Sequence, residues 1–188
     1  MTSSGESLAP SAEKILAFWF DPASEPFWFE KNGEFDAAVA AELGPWVDDA
    51  AAGRLDHWLS SARSALALVL LLDQAPRNLH RGTAAAFACD AKALATAEAA
   101  VAAGHDRQLE PKERLFLYLP FEHAEDPEAQ NRSVALIAAL GDAELTRYAV
   151  QHRDIIARFG RFPHRNPALG RQTTPDEALF LAQPGSSF

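Results

Sequence analysis

Residues 64–74 read SALALVLLLDQ, and within them Ala65 to Leu72 is the longest apolar run of the chain. A surface helix is apolar along one stripe only, whereas this segment is apolar on nearly every side. It therefore predicts a helix buried all round, at the centre of a globular core. The run is far too short to cross a bilayer, which takes about 20 residues. On both sides the chain is rich in Ala and poor in Val and Ile, a composition that favours helix over strand. No stretch alternates β-branched and polar residues with period two, so no sheet is expected.

Punctuation residues mark out the other helices. Short helices are predicted over Glu13–Phe20 and Leu55–Ser60, and longer ones over Glu34–Ala52, ending at Gly53, and Thr83–Ala103, ending at Gly104. Pro111 opens a helix through Leu119, and Asp126-Pro127 opens another that runs to Gly141. Asp142 caps a helix that ends at Gly160, and Thr174-Pro175-Asp176-Glu177 is a full capping box. Pro76 is expected to stop or kink the central helix, because proline lacks the N–H and clashes with the preceding turn. Residues 1–10, with Ser, Gly and Pro, read as a flexible tail, and 11–188 as a single helical domain. Phe18-Trp19-Phe20 and Phe27-Trp28-Phe29 echo each other at too short a spacing for a repeat, and read as two aromatic anchors packed on the core.

Composition narrows the function classes. The chain has 188 residues, 48% of them hydrophobic, and a formal charge of −9. This is globular rather than disordered, and its acidity argues against nucleic acid as a partner. No membrane segment and no secretory signal are seen. The single cysteine, Cys89, cannot form an internal disulfide, so a reducing, cytoplasmic location is expected. In its Ala/Phe-rich setting Cys89 reads as a small buried thiol rather than a nucleophile. There is no dinucleotide-binding or P-loop glycine pattern, no G-x-S-x-G elbow and no C-x-x-C, and no cofactor is expected. His152-Arg153-Asp154 matches the start of a kinase catalytic loop, but Phe159 stands where that loop needs asparagine.

Three polar stretches could carry chemistry. The first, HRDIIARFGRFPHRNPALGR over 152–171, holds Arg153, Arg158, Arg161, Arg165 and Arg171 with one acid, Asp154. Arginine forks match carboxylate and phosphate oxygens, so Arg158, Arg161, Arg165 and Asn166 are candidate anion ligands. The alternative is an ion-pair network with Asp73, Glu125 and Asp126. Tyr148, His152, Ile155 and Phe159 share one helical face, which points His152 inward, as a base, a ligand or a hydrogen-bonded core histidine. The second, Asp73 to Gly82, offers Asp73 and Arg77 as ligand-binding candidates; a turn tied by these side chains is the simpler reading. The third, Phe121-Glu122-His123-Ala124-Glu125-Asp126, sets a histidine beside carboxylates. His123, Glu125, His152 and His164 are thus the catalytic candidates, and no metal-ligand signature accompanies them.

ILAFWF, LLDQAPRNLHRGTAAAFACD, LYLPFEHAED and HRDIIARFGRFPHRN, followed by LGRQTTPDEALFL, resemble a bacterial family catalogued as a domain of unknown function. The resemblance runs from about Ile15 to Phe188. The family usually has an aromatic where Ala75 stands and serine where Ala124 stands. The resemblance implies an all-α fold of antiparallel helix pairs in a tetratricopeptide-like right-handed array, often with a concave binding face. It implies no activity or site residue. The expected function is a binding module with a pocket lined by Arg77, Arg158, Arg161 and Arg165, edged by His123 and His164, for a small anion, an acidic peptide or a protein partner. An enzyme using His123 or His164 as general base, with arginines stabilising an anion, is the alternative, and a purely structural role for the clusters is the third. The oligomeric state is left open.

Overall fold

The computed structural model describes residues 10–186. The expected tail over 1–10 lies outside them except for Pro10, which opens the first helix. The described residues are helices joined by turns, with no strand among them. In order these are α1 (Pro10–Trp19), α2 (Gly33–Glu42), α3 (Gly44–Ala51), α4 (Ala62–Val69), α5 (Ala75–Leu79), α6 (Asp90–Ala102), α7 (Pro111–His123), α8 (Pro127–Ala138), α9 (Ala143–Phe159) and α10 (Pro175–Leu181). They fall into two compact units: residues up to Arg81 with Ala85–Pro120, and Gly82–Ala84 with Phe121 onward.

In the first unit the apolar run behaves as its sequence requires. Ala65 through Leu72 are all wholly buried. The helix does not stop at Pro76. Between α4 and α5 the backbone widens into a π-turn, Leu70–Gln74, in which the Ala75 N–H donates to Leu70 O five residues back. Proline cannot donate, and its ring would strike the carbonyl four residues earlier in a regular helix. A π-turn shifts that carbonyl, so helix continues across the proline. Arg77 therefore stands one turn beyond Asp73, and the expected turn is replaced by an i,i+4 pair.

Two long helices of the sequence reading are broken. The predicted Glu34–Ala52 helix divides at Leu43, where Gly44-Pro45 starts a new one. The predicted Thr83–Ala103 helix begins instead as a 3-10 turn, Ala84–Phe87, before α6. In contrast α7 continues past Pro120 to His123. Its end is held by Gln130, whose amide donates to the carbonyls of Phe121, Glu122 and Ala124 at 3.4, 2.6 and 2.8 Å.

Four residues of the two aromatic triplets meet at Phe116 of α7, itself wholly buried, while Phe18 and Phe27 pack on Phe35. Trp19, Phe20 and Trp28 meet it edge-on with centroids at 5.5, 5.6 and 4.7 Å. Phe29 stacks on the same ring with centroids 6.0 Å apart, although 67% of it remains exposed. Phe116→Ala should therefore cost about 3–5 kcal/mol in denaturant unfolding, the range for losing a core aromatic. A cost below about 1 kcal/mol would mean that the ring does not anchor this core.

Candidate functional site

The candidate chemistry of the second unit gathers where four elements meet. Glu122 and His123 close α7, and α8 and α9 form a helical hairpin in which α9 carries His152. Gly160, at φ 69°, ends α9 abruptly. That left-handed turn, which glycine adopts without strain, sends the chain into a loop bearing Arg161, His164, Arg165, Asn166 and Arg171. Glu177 stands at the third position of α10 and completes the capping box with Thr174.

Two arginine–carboxylate clamps fix this loop. Arg171 grips Glu125 through both terminal nitrogens at 2.6 and 2.9 Å, while its Nε donates to Asn166 Oδ1 at 3.0 Å. The Phe162 amide donates to the same carboxylate at 2.8 Å. Burial raises the Glu125 pKa, but these hydrogen bonds and the charges of Arg171 and Arg165 outweigh it and hold the carboxyl below its ordinary range. Arg161 grips Glu177 at 2.6 and 2.9 Å and also donates to Gln172 O at 2.9 Å. The hydrogen bonds from Arg161 and from the Thr174 backbone bring the Glu177 pKa down to about 2. Asn166, wholly buried, ties the clamps together by donating to Thr173 Oγ1 and Glu177 Oε2 at 3.3 and 3.2 Å.

Inside the clamps lie histidines and one buried arginine. Arg165 donates to His123 O at 3.0 Å and lies over the Phe162 ring at 4.5 Å. His152 Nδ1 is 2.9 Å from Tyr148 O and 3.5 Å from Glu122 Oε1. Burial, helped by the charges of His123, His164 and Arg165, outweighs the opposing hydrogen bond to Tyr148 O and lowers its pKa to about 3. The imidazole is therefore neutral at pH 7, and the approach to Glu122 is not an ion pair. Nδ1 carries the proton and gives it to the nearer acceptor, Tyr148 O, which leaves the lone pair on Nε2. His164 is lowered to about 4 by burial and by Arg165, His123 and Arg171, against an opposing effect of Glu125. Imidazoles this acidic are poor general bases at neutral pH but good neutral donors and acceptors. Among the described residues no group of three His, Cys, Asp or Glu side chains is placed to hold a metal ion.

Several participants were not singled out from the sequence. Glu122, Gln130 and Ser133 are buried here, the last two completely. Glu122 links Gln130 to His152: its carbonyl accepts from Gln130, and its carboxylate approaches His152. Ser133 follows Gln130 by three residues on the same face of α8. Gln130 Oε1 and Ser133 Oγ are fully enclosed with no hydrogen-bond partner among the described residues. The readable signal was a glutamine and a serine on the helix face that also carries Ala129 and Ile137.

The other candidates lie elsewhere. Arg158 is exposed, stacked on Phe159 at 4.5 Å. Asp73 and Arg77 belong to the first unit, where Arg77 bridges Asp73 at 3.2 Å and grips Asp90 at 2.9 and 3.1 Å. Asp126 caps α8 by accepting from the Ala129 amide at 2.8 Å. The Cys89 thiol has its pKa pushed up by burial and by Asp90, which suits an inert thiol rather than a nucleophile.

Two tests follow from this geometry. Arg171→Ala should cost about 2 kcal/mol, since it strips charged hydrogen bonds from a partly exposed Glu125. Arg158→Ala should stay within about 0.5 kcal/mol; equal costs in denaturant unfolding would contradict the assignment of Arg171 as a clamp. The second concerns acid. His152 and His164 have folded pKa values below the unfolded 6.5, and Glu125 and Glu177 lie below the unfolded 4.5. Each contributes stability that is present above its unfolded pKa and is lost as pH falls towards its folded pKa. Stability should thus be flat above pH 7, decline below about 6.5 and fall faster below about 4.5. In a His152→Asn, His164→Asn double variant the first decline should shrink, and an unchanged curve would contradict the burial of neutral histidines.

Residues 15–185 match DUF924, a family described as bacterial protein of unknown function. A solved structure, that of the protein of unknown function ATU0120 from Agrobacterium tumefaciens, is 45% identical in sequence. Its match covers 91% of this chain and 96% of that one, with a TM-score of 0.87. No curated protein matches the chain. The all-helical fold and the matched span agree with the resemblance read from the sequence: the chain belongs to the DUF924 family.

Proposed function

We propose that the chain is a helical binding module whose second unit takes a small anion, a hydroxycarboxylate or phosphate, at the centre formed by His123, His152, His164 and Arg165. The observation that carries this reading is the pair of enclosed polar atoms, Gln130 Oε1 and Ser133 Oγ, in the same unit as that centre, with the Gln130 amide joined to it through Glu122. Buried polar atoms without partners call for water or a ligand. The Ser133 hydroxyl is a donor for an anionic oxygen, and Gln130 Oε1 is an acceptor for a hydroxyl on the same ligand. The field of Arg165 and the neighbouring imidazoles, which helps to hold His152 and His164 neutral, favours negative charge there. The clamps formed by Arg161 and Arg171 serve this reading as walls. Their bidentate geometry also favours a second reading, in which the whole network only pins the fold. The antiparallel α8–α9 pair is what supports a tetratricopeptide-like arrangement of the scaffold.

A bound anion lowers the cost of charging His152 and His164, so binding should take up protons and strengthen as pH falls from neutral. The test is calorimetric titration with inorganic phosphate and with glycolate, in buffers of different ionisation enthalpy. Proton uptake that is lost in His164→Asn, with weaker binding in Ser133→Ala, is expected. A ligand at about 100 times its Kd should add about 2.7 kcal/mol, a rise in Tm of roughly 5–10 °C. No heat and no shift with either anion would leave only the structural reading.

A further inference from the structure

A different surface of the first unit carries its own ligand chemistry. The end of α1, the turn after it and the start of α2 line an open cavity of about 420 Å³. Three phenylalanines form its wall. Phe18 and Phe35 lie nearly parallel, with centroids 6.1 Å apart and 11° between planes, and Phe27 leans on Phe35 at 5.7 Å. Phe35 is buried, whereas Phe18 and Phe27 remain half-exposed. The lining residues include two carboxylates, Asp21 and Glu34, and no lysine, arginine or histidine. Both carboxylates are exposed, and neither makes an ion pair among the described residues.

The wall is fixed before any ligand arrives. Ser24, also on the lining, is buried and donates to Phe18 O at 2.8 Å. Asp21 accepts from the Ala23 amide at 2.8 Å, which holds the turn. Asn32 caps α2 by accepting from the Glu34 and Phe35 amides at 3.0 Å each, which sets Phe35 and Glu34 in place. The volume of this open cavity falls within the range of small-molecule sites, about 300–1,000 Å³.

We infer that this cavity binds a small organic cation, an ammonium with an apolar stem. An ammonium is attracted to the faces of aromatic rings, and the stem would bury against Phe18, Phe27 and Ala38. Asp21 and Glu34 supply the opposite charge, with no basic group in the lining to compete. An anion is disfavoured by the same two carboxylates, so this site is independent of the one in the second unit. A neutral apolar molecule would meet the rings but gain nothing from the carboxylates.

The experiment is an NMR titration of the full chain with choline and, in parallel, with dimethylbutanol, its uncharged isostere. Choline should shift the amides of residues 18–38 saturably, while the isostere binds at least about tenfold more weakly. Asp21→Asn with Glu34→Gln keeps the Asp21 turn acceptor and should weaken choline by about tenfold or more. Equal binding of the isostere, or unchanged choline binding in the double variant, would overturn the inference. So would the absence of any saturable choline shift in the folded parent. A lysine-bearing peptide that shifts these amides while choline does not would also overturn it, by making the site a protein-docking surface. Phe18→Leu, checked as folded by its amide spectrum, should weaken choline more than the isostere, and the reverse ranking would count against a cation–π wall.

Discussion

Glu125 receives three hydrogen bonds, two from the fork of Arg171 and one from the Phe162 amide, across 46 and 37 residues of chain. Charged groups taken from water need such partners, because an unpaired one costs far more than the pair returns. Around this clamp the second unit takes its form. Arg171 also holds Asn166, Asn166 reaches Glu177, and Glu177 holds Arg161. The loop after α9 is thus fixed by a closed circuit rather than by secondary structure. Its inner members, His164 and Arg165, are presented from a rigid frame.

That frame explains why the charged forms of the histidines are disfavoured. Burial removes the water that would solvate an imidazolium, and Arg165 adds like charge at short range. The protein keeps polar, neutral rings inside the unit at a cost that apolar residues would avoid. Clusters of this kind are more common at functional sites than elsewhere, and the enclosed atoms of Gln130 and Ser133 belong to the same unit. The proposed anion site rests on that combination and not on the number of arginines.

Much of the fold was legible because it depends on local chemistry. Gly53, Gly104, Gly141 and Gly160 all take the positive φ that helix ends favour, and Asp126, Asp142 and Thr174 all cap as their spacing predicts. What misled was proline. Pro76 was read as a stop or kink and the α7 helix as ending at Leu119, yet a π-turn carries the chain through Pro76, and α7 runs on through Pro120 to an end closed by Gln130. Neither device is visible locally. The site was legible only in its cast. Arg161, Arg165, His123, Glu125, His152, His164 and Asn166 do assemble within one unit. Their partners did not show, because Glu177 looked fully used as a capping residue and Asp90 lies 13 residues from Arg77. Arg158, alike in sequence, faces solvent because it falls on the outer side of α9.

The most direct measurement is the protonation state of the imidazoles themselves, read by nitrogen-15 NMR across a pH titration. His152 and His164 should stay neutral down to about pH 5, with His152 protonated at Nδ1. Titration of both rings near their ordinary value of 6.5 would show that they are solvated, and the account of a clamped, neutral histidine centre would fail.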